Sequence, residues 1–174
     1  MLIDIAKITS KPDMSFNDYV DINISKIDFN GNEYEFDKQY KALAHIKNLG
    51  NKKIMCKLKA DITLITSCDR CLSKVLVPIE IDFEDEITVT PEGGGIGTDD
   101  EAGYIGEFML DTDKLVKSEI YPRIPVKILC SPDCKGICPE CGKNLNDGEC
   151  SCLVESLDPR MARIRDIFNN FKEV

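Results

Sequence analysis

Cysteine placement constrains this chain more than any other feature of its sequence. Eight of its nine cysteines fall into four short-spaced pairs: Cys68/Cys71, Cys130/Cys134, Cys138/Cys141 and Cys150/Cys152. Zinc takes four tetrahedral sulfur or nitrogen ligands, so its thiolates must converge on one point. A two-residue spacer turns both sulfurs of a bend toward one ion. Cys138-Pro-Glu-Cys141, an eight-residue spacer that begins with Gly142, and then Cys150-Ser-Cys152 therefore read as one closed zinc site. Gly142 lets the backbone close tightly under the sulfurs. Disulfides fit such pairs poorly, because the loops they would close are short and strained.

The other two pairs leave more than one grouping open. Cys68-Asp-Arg-Cys71 is half a site, and its natural partner is Cys130-Ser-Pro-Asp-Cys134. That grouping gives two four-cysteine sites and two structural zinc ions. The alternative sets Cys130/Cys134 with Cys138/Cys141 and the Cys68/Cys71 pair with Cys150/Cys152. Cys56, the odd thiol, shares the inward phase of Ile54 and Leu58 and reads as a small core residue. The opening Met1-Leu-Ile-Asp-Ile-Ala-Lys7 lacks a basic region followed by an apolar core, so no secretion signal is read there and a reducing cytoplasm is expected. No apolar run approaches the roughly 20 residues that span a bilayer, so no membrane partner is expected.

Periodicity predicts an α+β fold, mainly antiparallel β, as a barrel-like or strongly twisted sheet. Tyr19–Ser25 alternates apolar and polar, Asn30-Gly31-Asn32 supplies a turn, and Tyr40, Ala42, Ala44 and Ile46 alternate next. In the longest stretch Ile54, Cys56, Leu58, Ala60, Ile62 and Leu64 share one face and Lys53, Lys57, Lys59, Asp61 and Thr63 the other. Val75, Val77, Ile79, Ile81 and Phe83 form a matching strand, which puts the first cysteine pair at the tip of a long hairpin. Residues 90–103 are glycine-rich and acidic and read as a mobile loop. A short strand at 104–110 and a helix capped by Asp111 or Thr112 and running to about Ile120 complete a β-rich domain, residues 1–125. Residues 126–174 form a second unit, a zinc-ribbon-like cysteine-rich segment followed by a terminal helix. That helix starts at Asp158-Pro-Arg160 and carries Met161, Ile164, Phe168 and Phe171 on one face.

Charge and residue types narrow the function. The formal charge is −9, which argues against a nucleic-acid binder with a uniformly basic footprint. Yet the residues from Lys38 to Ala60 hold seven lysines and no acid, while those from Val75 to Gly103 hold nine acids and no lysine or arginine. Pairing of the two long strands would place Lys57 and Lys59 near Glu84 and Asp82, which is charge neutralisation across a sheet. The sharper reading makes Lys52, Lys53, Lys57 and Lys59, with Arg160 and Arg163, contacts for RNA phosphates. No catalytic set can be built: His45 is the one histidine, and four sulfurs close each proposed zinc site, leaving no open position for chemistry. The chain is expected not to be an enzyme, and no small-molecule substrate is evident.

Cys68-Asp-Arg-Cys71-Leu72, Cys130-x3-Cys134-Lys-Gly-Ile-Cys138-Pro-Glu-Cys141-Gly-Lys-Asn-Leu-Asn146, Cys150-Ser-Cys152 and Leu157-Asp-Pro-Arg160, in that order, resemble the YceD family of small bacterial and plastid proteins. The resemblance implies a role in accumulation of large-subunit (23S) ribosomal RNA, hence in ribosome biogenesis. It also implies the large ribosomal subunit or its precursor as partner, through rRNA or a ribosomal protein. Two other functions suit the cysteines: a zinc-thiol redox switch that releases metal on oxidation, and a general zinc-ribbon adaptor in transcription.

Overall fold

Side chains that alternate apolar and polar along a strand must lie with one face in a core and the other in water. The computed structural model, which describes residues 1–11, 14–98 and 102–152, is built around the longest such stretch. In chain order the elements are β1 (Leu2–Asp4), α1 (Ile5–Thr9), β2 (Ser15–Ile22), β3 (Lys26–Phe29), β4 (Asn32–Phe36), β5 (Tyr40–Gly50) and β6 (Lys53–Ser67). There follow β7 (Lys74–Val89), β8 (Gly95–Ile96), β9 (Ile105–Gly106), β10 (Met109–Asp111) and α2 (Thr112–Ile120), which runs into a 3-10 turn at Tyr121–Arg123.

All strand pairs are antiparallel. β6 is the spine of a seven-stranded sheet. Along one edge it pairs with β7 from Lys53↔Thr88 to Ser67↔Lys74. It also pairs with β5 over its first half and with β4 at Ile65 and Leu64. β2 flanks β5, β3 flanks β4, and β8 extends the sheet beyond β7. A second sheet has the order β1-β10-β9. The expected barrel is corrected to open sheets: no closed barrel forms among the described residues. β8 is two residues long and offers too few ladder bonds to receive a closing strand.

The inward face of β6 is buried throughout: Ile54, Cys56, Leu58, Ala60, Ile62 and Leu64, facing Val77, Ile79 and Ile81 of β7. Each large aliphatic buried there contributes roughly 1.5–3 kcal/mol. α2 adds Leu115, Val116 and Ile120 to the same core. It starts where the sequence places it, because the Asp111 carboxylate accepts the N–H groups of Asp113 and Lys114 at 3.1 and 3.2 Å. The strand expected at 104–110 is instead the hairpin β9–β10, turning at Glu107-Phe108. Within the glycine-rich acidic segment β8 pairs with the end of β7. A side chain at Gly93, which has φ +85°, would lie 2.6 Å from Phe108, so glycine is required there.

One buried polar residue fastens α1 to the large sheet. Asn48 Nδ2 donates to the carbonyls of Ile8, Thr9 and Lys11 at 3.0, 3.3 and 2.8 Å, and its Oδ1 accepts the Gly50 N–H at 2.8 Å. Asn48→Ala strands these groups and should lower unfolding stability by about 2–3 kcal/mol, read as a shifted urea midpoint with an unchanged slope. A loss within a few tenths of a kcal/mol would show that water replaces the amide there.

The chain divides into two compact units, Met1–Asp69 with Ser73–Cys130, and Arg70–Leu72 with the residues from Ser131 on. Among the described residues, both sheets and both α-helices belong to the first. In the second, the described residues form no helix or strand, only an isolated bridge between Ile137 and Asn144. The described residues there give only this bridge and the cysteine turns, which do not confirm the zinc-ribbon expectation. The terminal helix, with Arg160 and Arg163, lies outside the described residues. Among the described residues no helix is long and apolar enough to cross a membrane.

Candidate metal centres

The four cysteine pairs collect into two groups. Cys68, Cys71, Cys130 and Cys134 form one, and Cys138, Cys141, Cys150 and Cys152 the other. Within each group the four sulfurs lie within 4.8 Å of one another. A tetrahedral ion with metal–sulfur bonds of about 2.3 Å sets its ligands about 3.8 Å apart, so each group fits one four-thiolate ion after a small contraction. None of the nine cysteines is joined in a disulfide.

Each knuckle is shaped by its backbone. After Cys141 the chain reverses at Gly142, with φ +72°, whose N–H donates to the Cys138 carbonyl at 2.9 Å. Leu72 takes the corresponding position after Cys71 with φ +60°, an uncommon conformation for a residue with a side chain. The residues between Cys68 and Cys71 act as clamps. Asp69 exchanges two hydrogen bonds with Ile128: its N–H donates to the Ile128 carbonyl at 2.9 Å, and its carboxylate accepts the Ile128 N–H at 2.6 Å. This fixes the chain two residues before Cys130. Arg70 Nη1 donates to the Cys134 carbonyl at 2.9 Å. Gly136, with φ +80°, runs close beneath, where a Cβ would lie 3.2 Å from the Arg70 carbonyl oxygen. Reading by cysteine spacing alone misses Asp69 and Arg70, although their place inside the first CxxC marks them.

Electrostatics differ within the second group. The backbone N–H groups of Cys141 and Glu140 point at the Cys138 sulfur and, with the Cys150 side chain, lower that thiol to about 7. Cys152 is pushed up to about 12, first by its hydrogen bond with the Cys141 side chain. Four thiols this close cannot all ionise alone, since each thiolate repels the next. A divalent cation removes that repulsion, and its binding must expel protons. Cys56 stands apart in the core, where burial and the Asp85 carboxylate raise its thiol to about 12.

The lysines read as RNA contacts lie elsewhere, on the exposed face of the large sheet. Lys53, Lys57 and Lys59 form ion pairs with Glu86, Glu84 and Asp82 of β7 at 2.6, 2.7 and 2.8 Å. Lys52 occupies the β5–β6 turn with φ +63°. His45 stands opposite Lys57 on β5.

Comparison with known proteins adds a family. A profile described as "Large ribosomal RNA subunit accumulation protein YceD" matches residues 56–168, well over half of the chain and a span that includes all eight clustered cysteines. An uncharacterised protein of Mycobacterium tuberculosis is 29% identical over 102 residues, 58% of this chain and 48% of the relative. A chloroplastic protein of Arabidopsis thaliana named large ribosomal RNA subunit accumulation protein YCED homolog 1 is 31% identical over 78 residues, 45% of this chain and 20% of that protein. Its namesake in Zea mays is 37% identical over 54 residues, 29% of this chain and 18% of that protein. The chain thus spans about half the length of the mycobacterial relative and less of the plastid ones. No solved structure matches it. With the eight cysteines in two four-sulfur groups and the family profile laid across them, the chain belongs to the YceD family.

Proposed function

We propose that this protein is a non-enzymatic factor that supports accumulation of large-subunit ribosomal RNA, with two zinc ions as structural parts of its fold. The family match over residues 56–168 carries the reading. Two sets of four converging sulfurs support zinc over harder cations, which prefer oxygen ligands. Closure by four sulfurs supports a structural ion, because a catalytic zinc keeps one position for water or substrate. The protein acts in the cytoplasm on the large ribosomal subunit or its precursor.

The contact runs through a ribosomal protein or through rRNA, and the ion pairs favour the protein. A phosphate binding at Lys53, Lys57 or Lys59 would have to displace a carboxylate already within 2.8 Å. Depletion of the protein should lower the ratio of large- to small-subunit rRNA, and an unchanged ratio would count against the function. Binding to large-subunit particles should persist as salt is raised from 50 to 200 mM. An RNA interface using several phosphates would instead lose orders of magnitude of affinity over that range, and would weaken further on changing Lys52, Lys53, Lys57 and Lys59 to Glu.

A second reading, the thiol redox switch, draws on the exposure of Cys130 and Cys141. Two thiolates from one group would be oxidised to a disulfide while peroxide is reduced to water, releasing zinc. Zinc release at mild peroxide, with loss of particle binding, would support it. Retention of zinc until harsh oxidation would remove it.

A further inference from the structure

Asn146 belongs to neither cysteine group, yet it lies on the chain that joins one and touches a sulfur of the other. It lies on the stretch that joins Cys138/Cys141 to Cys150/Cys152, so its position depends on how the second group is held. Its side chain reaches the first group: Nδ2 is 3.4 Å from Cys134 Sγ, a normal length for an N–H···S hydrogen bond. The rest of the amide is committed to keeping that geometry. Oδ1 accepts the backbone N–H of Lys135, beside Cys134, at 2.8 Å, and Nδ2 also donates to Asn144 Oδ1 at 2.8 Å. These partners fix which end of the amide carries the nitrogen. The adjoining backbone follows the same course, with the Leu145 N–H donating to the Gly136 carbonyl at 2.9 Å and the Cys138 N–H to the Lys143 carbonyl at 2.8 Å.

A hydrogen bond to a metal-bound thiolate withdraws electron density from sulfur, so the thiolate is less readily protonated, oxidised or displaced. Removing such outer partners typically costs about 10–100-fold in metal affinity. The two groups also differ in exposure. In the first, Cys68, Cys71 and Cys134 are buried; in the second only Cys138 is. The second group is therefore the one that a chelator reaches first.

We propose that Asn146 is a positioning residue that couples the two metal centres, the stretch held by the second delivering an N–H to a sulfur of the first. Loss of the ion at Cys138, Cys141, Cys150 and Cys152 frees that stretch, withdraws the hydrogen bond and hastens release at Cys68, Cys71, Cys130 and Cys134. The inference rests on the reading of both groups as metal sites, and its test separates the two.

The test uses the full chain loaded with zinc, counting bound ions and timing their transfer to a chromophoric chelator. Wild type should hold two ions and release the second of them slowly. Cys150→Ser with Cys152→Ser should hold one ion and release it about tenfold faster than the slow wild-type step. Asn146→Asp keeps the acceptor for Lys135 but has no N–H for Cys134, and should hasten the slow step by a similar factor. Asn146→Ala should act in the same direction. Combining Asn146→Asp with the two serine substitutions should add nothing, because the hydrogen bond is lost either way. With cobalt in place of zinc, Asn146→Asp should move the sulfur-to-metal absorption to lower energy, a shift that a purely architectural role would not produce. A protein that holds fewer than two ions would overturn the metal reading and the coupling together. Two ions in wild type, together with an unchanged slow step in the serine variant or with effects that multiply in the combination, would overturn the coupling alone.

Discussion

Stripping metal from this protein should unfold residues 131–152 while the β-sheets stay folded. Among the described residues of the second unit, the buried side chains are Cys71, Cys134 and Cys138, and no aliphatic side chain is buried with them. A segment with no apolar core cannot repay the entropy of ordering its backbone, about 1–2 kcal/mol per residue. Among the described residues of this unit the remaining source of cohesion is metal–thiolate bonding, worth about 10–16 kcal/mol for a structural zinc site. The β-sheets carry their own core and do not need that contribution. After complete chelation, amide resonances of residues 131–152 should collapse toward unfolded positions, while those of β6 and β7 keep their dispersion. Trypsin should then cut at Lys135 and Lys143. Cys138→Ser should act in the same direction, and Cys56→Ala should leave the metal content unchanged, because Cys56 lies in the core outside both groups. Dispersed signals from residues 131–152 in metal-free protein would show that something other than metal orders them. The same site fixes the sign of the pH dependence. Binding replaces protons on thiols, including one held up at about 12, so affinity must fall as pH falls, by up to about tenfold per pH unit for each proton displaced.

How much of this was legible in the sequence depended on whether the physics left a mark on residue type. The three two-residue hairpin turns form a graded example. All place both central residues in the left-handed region: Asn30-Gly31 (φ 52° and 80°), Asn51-Lys52 (52° and 63°) and Glu107-Phe108 (51° and 61°). Asn-Gly announces such a turn outright, since both residues tolerate that region. Asn-Lys announces it half as well, through the asparagine alone. Glu-Phe announces nothing, so β9 and β10 read as one strand. That turn is imposed by packing, with the Phe108 N–H donating to the Gly93 carbonyl and its carbonyl accepting from Ile5. The opening β1 and α1 escaped for a different reason: three and five residues are too few to display a period. The cysteine spacings marked all eight candidate ligands but left two groupings open, because convergence of distant pairs is decided by the path of the chain between them. Asn146 could not be found by spacing at all, since an amide that donates to sulfur looks like any loop asparagine until the sulfur is beside it.

Adjacent residues on β6 should respond to substitution in opposite ways, and the contrast tests the architecture at its centre. Leu58 is 1% exposed and faces Phe83 across the ladder, whereas Lys57 points outward to Glu84. Leu58→Asp buries a carboxylate with no partner in the middle of the spine strand. The cost should exceed about 4 kcal/mol, a large share of the stability of a domain this size, so the variant should be largely unfolded. Lys57→Glu removes one exposed ion pair, worth about 0.2–1 kcal/mol, and sets a like charge opposite Glu84 at a similar cost. It should therefore fold, with a urea midpoint only slightly lowered, and Glu84→Lys in the same chain should restore the midpoint. Equal losses at both positions would mean that the sheet is not one-sided as described. Because the sheet tolerates charge reversal at Lys57 and not at Leu58, Lys57→Glu with its Glu84→Lys partner is the proper probe for the outer face. Any loss of large-subunit binding in the single variant that the double variant recovers belongs to the charge pattern of that face. A loss that the double variant keeps belongs to Lys57 itself, the result expected if that lysine reaches an anionic group of the particle, and the salt dependence then separates a run of phosphates from a protein carboxylate.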